Sequence, residues 1–286
     1  MPKTKKQEAV AMPEISPAIT KKIEDRQVQE RVAIGAHVVH ETIRREGEEE
    51  LKRTTSALAW SGLAAGLSMG FSLVAEALIA GYLPKGDWTR LLTKLGYSVG
   101  FLIVVLGRQQ LFTETTLTAV LPVLTGRSWQ MAMRMVRLWG VVLLANLVGT
   151  YLFALCVARV QIFSPQVQQT LTAVSEDGLG AGFWVVVIRA IFAGWLIALM
   201  VWLLPGAESA RVSIIIILTY LIGLGGFNHV IAGSTKILFL VATGAESWRF
   251  YLGRFLVPTL VGNIIGGVSL VAFLGHAQVV AGKEAQ

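Results

Sequence analysis

Polar and apolar positions are segregated along this chain. Charged side chains recur through the first 56 residues, and from Ala57 onward the sequence becomes a series of apolar stretches, at about 57–83, 96–124, 134–158, 183–204, 212–242 and 250–275. Each is long enough to cross a hydrocarbon core of ~30 Å, which takes about 20 apolar residues as helix. Two of the six are interrupted. The second runs apolar to Leu106, meets Arg108, Gln109, Gln110, Thr113 and Glu114, and turns apolar again from Leu117. The fifth does the same around "GGFNHVIAGSTK", which places Asn228, His229 and Lys236 just after the run "IIIILTYLIGL". Neither half of a broken span can cross alone. Unpaired backbone in lipid costs several kcal/mol per group, so such a break belongs inside protein or beside water.

The two breaks hold matching places in two halves of the chain. "LFT" at 111–113 is followed 33 residues after Thr113 by "NLVG", beginning at Asn146. "FNH" at 227–229 is followed 34 residues after His229 by "NIIG", beginning at Asn263. Three spans per half is an odd number, so the second copy runs inverted. The pattern predicts an all-α membrane protein of six transmembrane helices, an inverted repeat whose second and fifth helices are broken around a pathway at the midplane. The Asn-x-x-Gly motifs themselves read as close helix packing, because small residues let backbones approach.

Composition sharpens this reading. Of 286 residues 54% are hydrophobic and only 15% charged, where a soluble domain carries roughly a quarter. Residues 1–56 hold 11 of the 25 Lys and Arg and 10 of the 18 Asp and Glu. That segment nets only +1, so the overall +7 lies mainly at span ends, where bases anchor membrane proteins, and nucleic acid is not an expected partner. The expected organisation is a tail over 1–56, a membrane transport domain over 57–276 and a short tail over 277–286. Residues 1–20, with three prolines, are expected to be disordered and Lys21 to Arg53 helical. The first apolar run starts too late for a secretory signal. Six spans place both termini on one side, and the eleven tail bases favour the cytoplasmic side. The expected location is a bacterial inner membrane.

Candidate chemistry is sparse. The single Cys156 excludes an intrachain disulfide and reads as a packed small hydrophobe. His37 and His40, three apart, lack a third ligand, so they read as part of a solvated helix and no metal is expected. No nucleophile–base pair or cofactor loop stands out, so neither an enzyme nor a cofactor is expected. Arg108 and Lys236 admit two readings: attraction of a permeant anion, or structural pairing with Glu114 or Glu76. Arg189 and Arg254 read as snorkelling span-end bases, and Trp129, Trp139, Trp202 and Trp248 as interfacial belts.

The stretches "LFTETT", "GFNHVIAGS", "RAIFAGWLIALMVWL" and "VPTLVGNIIGG", in this order and spacing from roughly Leu58 to Leu274, resemble the formate/nitrite transporter family. The resemblance implies a homopentamer of six-helix, aquaporin-like protomers, each conducting small monovalent anions of weak acids. It makes His229 the central pore histidine, Thr113 the threonine that can hydrogen-bond it, Leu111 an apolar plug, and Tyr97, Phe101 and Ile222 constriction residues. Several positions depart from the family. Asn228 replaces a carboxylate, Gly233 and Gly194 replace asparagines, a vestibule lysine expected near Gly178 is missing, and Arg108, Gln109 and Lys236 replace small or apolar residues. The expectation is therefore an anion channel or transporter in which a broken helix offers free backbone N–H groups and His229 lends a proton. A pore for small neutral solutes and a closed-pore membrane sensor or assembly protein stand as alternatives.

Overall fold

The computed structural model describes Lys21 and residues 34–160 and 162–273. The expectations for 1–20, for most of the segment from Lys21 to Arg53 ahead of Ala36, and for 277–286 lie outside the described residues. Within them the chain is all helical, with six helices long and apolar enough to cross a membrane. In chain order the helices are α1 (Ala36–Lys52), α2 (Thr55–Tyr82), α3 (Thr89–Leu106), the half-helices α4 (Phe112–Thr118) and α5 (Val120–Gly126), α6 (Trp129–Arg159), α7 (Pro165–Glu176), α8 (Phe183–Leu203), α9 (Arg211–Gly225), the half-helix α10 (Val230–Thr243) and α11 (Trp248–Ser269), of which α2, α3, α6, α8, α9 and α11 form the six spans.

The starts and stops follow local chemistry. Thr54 caps α2 by accepting from the Ala57 N–H at 3.3 Å, and Ser164 with Pro165 opens α7. α9 ends on Gly226 at φ 63° and α10 on Gly244 at φ 86°, left-handed positions that glycine takes at no steric cost. α11 opens into wider, π-type turns over Tyr251–Leu256, just ahead of Pro258, which has no N–H to donate.

The two halves repeat the same packing. α2 lies along α6, and α8 lies along α11. Both pairs close to backbone contact: a Cβ on Gly66 would overlap the Asn146 carbonyl, and one on Gly194 would overlap the Asn263 carbonyl. The half-helices cross over, α10 against α6 of the first half and α4 against α8 of the second. Gly194 therefore stands where the resemblance expects an asparagine because the backbone of α11 leaves no room for one. The glycine stripe Gly62 to Gly70, which suits close helix packing, is used within the protomer against Ala145, Asn146 and Phe153.

Four other expectations are corrected. The second span begins at Thr89 rather than near residue 96, so Lys94 lies inside a helix and is 4% exposed. Residues 165–176, between the third and fourth apolar stretches, form α7, which buries Val167, Leu171 and Val174 on one face. α1 is a docked helix, not a solvated one: Val39, Ile43, Gly47 and Leu51 are buried, and His40 meets the Trp202 ring edge-on. Trp139 also packs inward, donating to the Thr115 carbonyl at 3.1 Å, while Trp129 is exposed as an interfacial residue would be. Cys156, expected to be packed, is exposed because it lies on a face of α6 that no other described helix of the protomer covers.

Candidate functional site

The two broken helices meet at His229. This residue is the N-cap of α10, with extended backbone (φ −106°, ψ 126°), and its Nδ1 accepts from the N–H groups of Ile231 and Ala232 at 3.3 and 3.2 Å. Its Nε2 lies 2.7 Å from Thr113 Oγ1, on the first turn of α4. Because Nδ1 spends its lone pair on backbone donors, the ring proton of the neutral imidazole sits on Nε2 and points at Thr113. A second ring proton can enter only at Nδ1, where it displaces both backbone donors. The ring is 1% exposed and meets the Phe101 ring edge-on at 5.0 Å between centroids. Phe101 is in turn 5.4 Å from Tyr97.

The expectation of free N–H groups at the start of α10 is not met. Val230 N–H is taken by Asn263 Oδ1 at 2.8 Å, Ile231 and Ala232 by His229 Nδ1, and Gly233 by the His229 carbonyl at 2.8 Å. Every N–H from Val230 to Gly233 is therefore satisfied by the protein itself.

Asn263 does more than pack. Beside holding Val230 N–H, it donates from Nδ2 to the carbonyls of Ala190 and Asn228 at 2.8 and 2.9 Å. In the first half Asn146 accepts from Phe112 N–H at 2.9 Å and donates to the carbonyls of Gly62 and Gln110 at 2.7 and 2.9 Å. These bonds also correct the register of the repeat. They set Gln110 against Asn228, Leu111 against His229 and Phe112 against Val230, and Leu111 is likewise an N-cap (φ −102°, ψ 126°). His229 thus answers to Leu111, and Thr113 is its partner across the break rather than its counterpart.

Two cavities approach this point from opposite ends. One, of about 620 Å³, is lined by His229, Asn228, Tyr97 and Ile222 at its inner end and by Arg90, Lys94, Arg189, Lys236 and Arg254 further out. The other, of about 960 Å³, lies against α1 and mixes Arg45, Arg53, Arg108 and Arg211 with Glu46, Glu49, Glu50, Glu114 and Glu208. Leu111 and Phe101 line neither cavity and are fully buried. Arg189 and Arg254 therefore face the same space as His229 instead of only ending their spans.

The two unusual bases part company. Lys236 lies on α10 in the first cavity, with Nζ 2.7 Å from Glu76 Oε1 and 5.5 Å above the Tyr97 ring. Arg108 lies at the second cavity with its side chain 74% exposed, reaching Glu46 at 3.5 Å rather than Glu114 or Glu76. Glu76 is fully buried and also takes Lys94 at 2.8 Å, and Lys94 takes Asp177 at 2.9 Å. Sequence reasoning missed Lys94, Glu76 and Asp177 as a network; the signal was a carboxylate in the middle of the first span, Glu76, with nothing near it in sequence to neutralise it. Gly233, the other lost asparagine, sits where a Cβ would overlap the Phe255 ring.

At the α1 cavity Glu50 accepts from Thr118 Oγ1 at 2.7 Å and from Gln110 Nε2 at 3.1 Å. Burial pushes the Glu50 carboxyl above its ordinary value, and these two bonds offset only part of that. No group of three or more potential metal ligands occurs among the described residues.

Comparison with known proteins places this architecture. Residues 37–277 match the family model described as formate/nitrite transporter. The inner membrane protein YfdC of Escherichia coli (strain K12) is 42% identical over 251 residues, covering 88% of this chain and 81% of that one. The formate channel BtFdhC of Bacillus thuringiensis is 25% identical over 79% of this chain and 88% of its own. Among solved structures, a pentameric formate channel with formate bound superposes with a TM-score of 0.65 at 22% identity, covering 79% of this chain and 98% of that one. The fold, the paired breaks and the match over most of the sequence make the chain a member of the formate/nitrite transporter family.

Proposed function

We propose that the protein is a channel or transporter for small monovalent weak-acid anions, of the formate and nitrite type, that works as a homopentamer in the inner membrane with both termini cytoplasmic. One observation carries this reading: a cavity lined by five bases narrows onto His229, which is hydrogen-bonded to Thr113 across the two helix breaks. An anion entering hydrocarbon loses its hydration, so the bases Arg90, Arg189 and Arg254 lower the cost of entry. Beyond Tyr97 and Ile222 the path meets Phe101, His229 and Leu111, which are almost fully buried. A weak acid crosses such a plug more cheaply as a neutral molecule. His229 lends the proton as the imidazolium, formed when a proton from water enters at Nδ1 in place of the two backbone donors, and gives up the one on Nε2 to the anion. Thr113 holds that nitrogen, and Asn228 brings no charge to compete with it. The kinship with the Bacillus thuringiensis formate channel supports the substrate class.

The neutral-solute reading keeps one observation in its favour: Lys236, the base nearest the plug, is matched by Glu76. Flux into proteoliposomes separates the two. Formate, nitrite, acetate and lactate are expected to move, with flux rising as external pH falls beyond what the concentration of neutral acid explains, and His229→Phe is expected to abolish that excess. Passage of urea or glycerol without anion flux would overturn the anion reading. A mass other than five protomers by native mass spectrometry in several mild detergents would overturn the pentamer.

A further inference from the structure

We propose that Asp177 is a built-in competitor for the permeant anion: its carboxylate occupies Lys94 in the mouth of the basic cavity and is displaced when a small anion binds there. This rests on the anion reading above and names the residue that sets how readily the mouth fills.

The charges explain why Asp177 and not Glu76 is the displaceable one. Glu76, Lys94 and Lys236 form a buried group with one negative and two positive charges, and Asp177 brings the sum to zero. Glu76 is fully buried and bridges both lysines, so extracting it would strand two ammonium groups out of water. Asp177 is 41% exposed and bonds a single lysine, so it moves into water at little cost. Burial pushes its carboxyl up, but the bond and charge of Lys94 outweigh this and hold it below its ordinary value.

The backbone beside it permits the movement. Asp177 ends α7, and the next residues, Gly178-Leu179-Gly180-Ala181, form part of the cavity wall. Gly178 and Gly180 are left-handed at φ 87° and 89°, and a Cβ built on either would meet nothing within 4 Å. The segment is held by the Asp177–Lys94 contact and by Leu179, not by close packing along its length.

The chemistry of the competitor identifies the ligand. A carboxylate oxygen 2.9 Å from Lys94 Nζ is the contact that a free monocarboxylate or nitrite oxygen would make. Substituting one monoanion for another keeps the group of four charges neutral, so a permeant anion fits while a second positive charge or a neutral molecule gains nothing from the exchange. A site that binds through exchange also releases readily, as conduction requires.

The test compares full-length wild type with Asp177→Asn and Asp177→Glu in proteoliposomes, with sodium formate as the probe. Asp177→Asn keeps the shape but removes the competing charge, so the half-saturating formate concentration is expected to fall ~2–5-fold, the range of an exposed ion pair. Asp177→Glu is expected to stay close to wild type. In parallel, hydrogen–deuterium exchange of residues 178–181 in wild type is expected to speed up on adding formate, and in Asp177→Asn to be fast already and indifferent to it. An unchanged half-saturation in Asp177→Asn, or lower flux together with a lower melting temperature, would make Asp177 a structural fastener and overturn the proposal. Wild type that passes no anion would overturn the channel reading instead. In that case the exchange experiment still decides: no response of residues 178–181 to formate overturns the competitor as well.

Discussion

Asn146 and Asn263, one in each half of the chain, make the same three hydrogen bonds to the same three backbone positions. Each accepts from the N–H that follows an N-cap, donates to the carbonyl that precedes it, and donates again to a carbonyl on the neighbouring long helix. A break in a membrane helix exposes backbone groups that lipid cannot satisfy, and a carboxamide is the smallest neutral side chain carrying both an acceptor and two donors. Both asparagines are fully buried.

Replacing either with alanine is therefore expected to leave one N–H and two carbonyls without their partner. At ~1–3 kcal/mol for each orphaned group, Asn146→Ala and Asn263→Ala should each lower the melting temperature in detergent by several degrees or more and reduce the yield of folded protein. Variants melting with wild type would show that water or relaxed backbone does the same work.

The close approach at Gly66 and Gly194 is open to a sharper test. Alanine at either position puts a methyl group into the backbone of the partner helix, and both variants are expected to be destabilised by ~1–3 kcal/mol, the ordinary cost of overpacking. Gly140, on α6, has open space where its Cβ would lie, so Gly140→Ala should be neutral or slightly stabilising through helix propensity. Equal melting temperatures for all three would contradict the packing.

Glu76 holds two lysines while Lys236 holds one carboxylate, so the single substitutions should not be equal. Glu76→Gln strands Lys236 and leaves Lys94 only Asp177, and is expected to cost the ~3–5 kcal/mol of breaking a buried pair. Lys236→Met leaves Glu76 paired with Lys94 and should cost less. The double variant should recover part of the loss, a coupling that a double-mutant cycle on thermal unfolding reads directly. Additive effects would mean that the 2.7 Å contact carries no interaction energy.

Glu50 predicts a pH dependence of α1 docking. A carboxyl raised on folding binds more protons folded than unfolded, so the stability it contributes is present at low pH and is lost as pH rises through the raised value, above the ordinary 4.5. Melting temperature measured from pH 4.5 to 8 should fall more steeply in wild type than in Glu50→Gln, which keeps a hydrogen-bonding group toward Thr118 and lacks the titration. Parallel profiles would assign the slope to other groups.

The spans were legible because lipid requires long apolar runs, and the breaks because charge inside such a run has few explanations. Thr113, His229 and Phe101 were found through the family resemblance, and they do meet in the structure. Lys94 was not legible as buried, since a lysine near an apolar run reads as its end until Glu76, 18 residues earlier, is known to face it. The asparagines were seen but assigned to packing, because the glycine three residues on does pack, and sequence does not show which backbone groups a side chain reaches. The register of the repeat slipped for a related reason: the eye pairs Thr113 with His229 because both are polar, whereas the backbone pairs His229 with a leucine. α7 escaped notice because an amphipathic helix of 12 residues is too short to announce itself between two long apolar runs.

The asparagine bonds also bear on how the chain is made. Asn146 joins Gly62, Gln110 and Phe112, all of which are synthesised before it. Asn263 likewise reaches back only to Ala190, Asn228 and Val230. Each half seals its own interruption with residues of that half, so the first three spans can leave the translocon with their polar break already closed. The crossing of α10 onto α6 and of α4 onto α8 is then left as an assembly step between two units that lipid already tolerates.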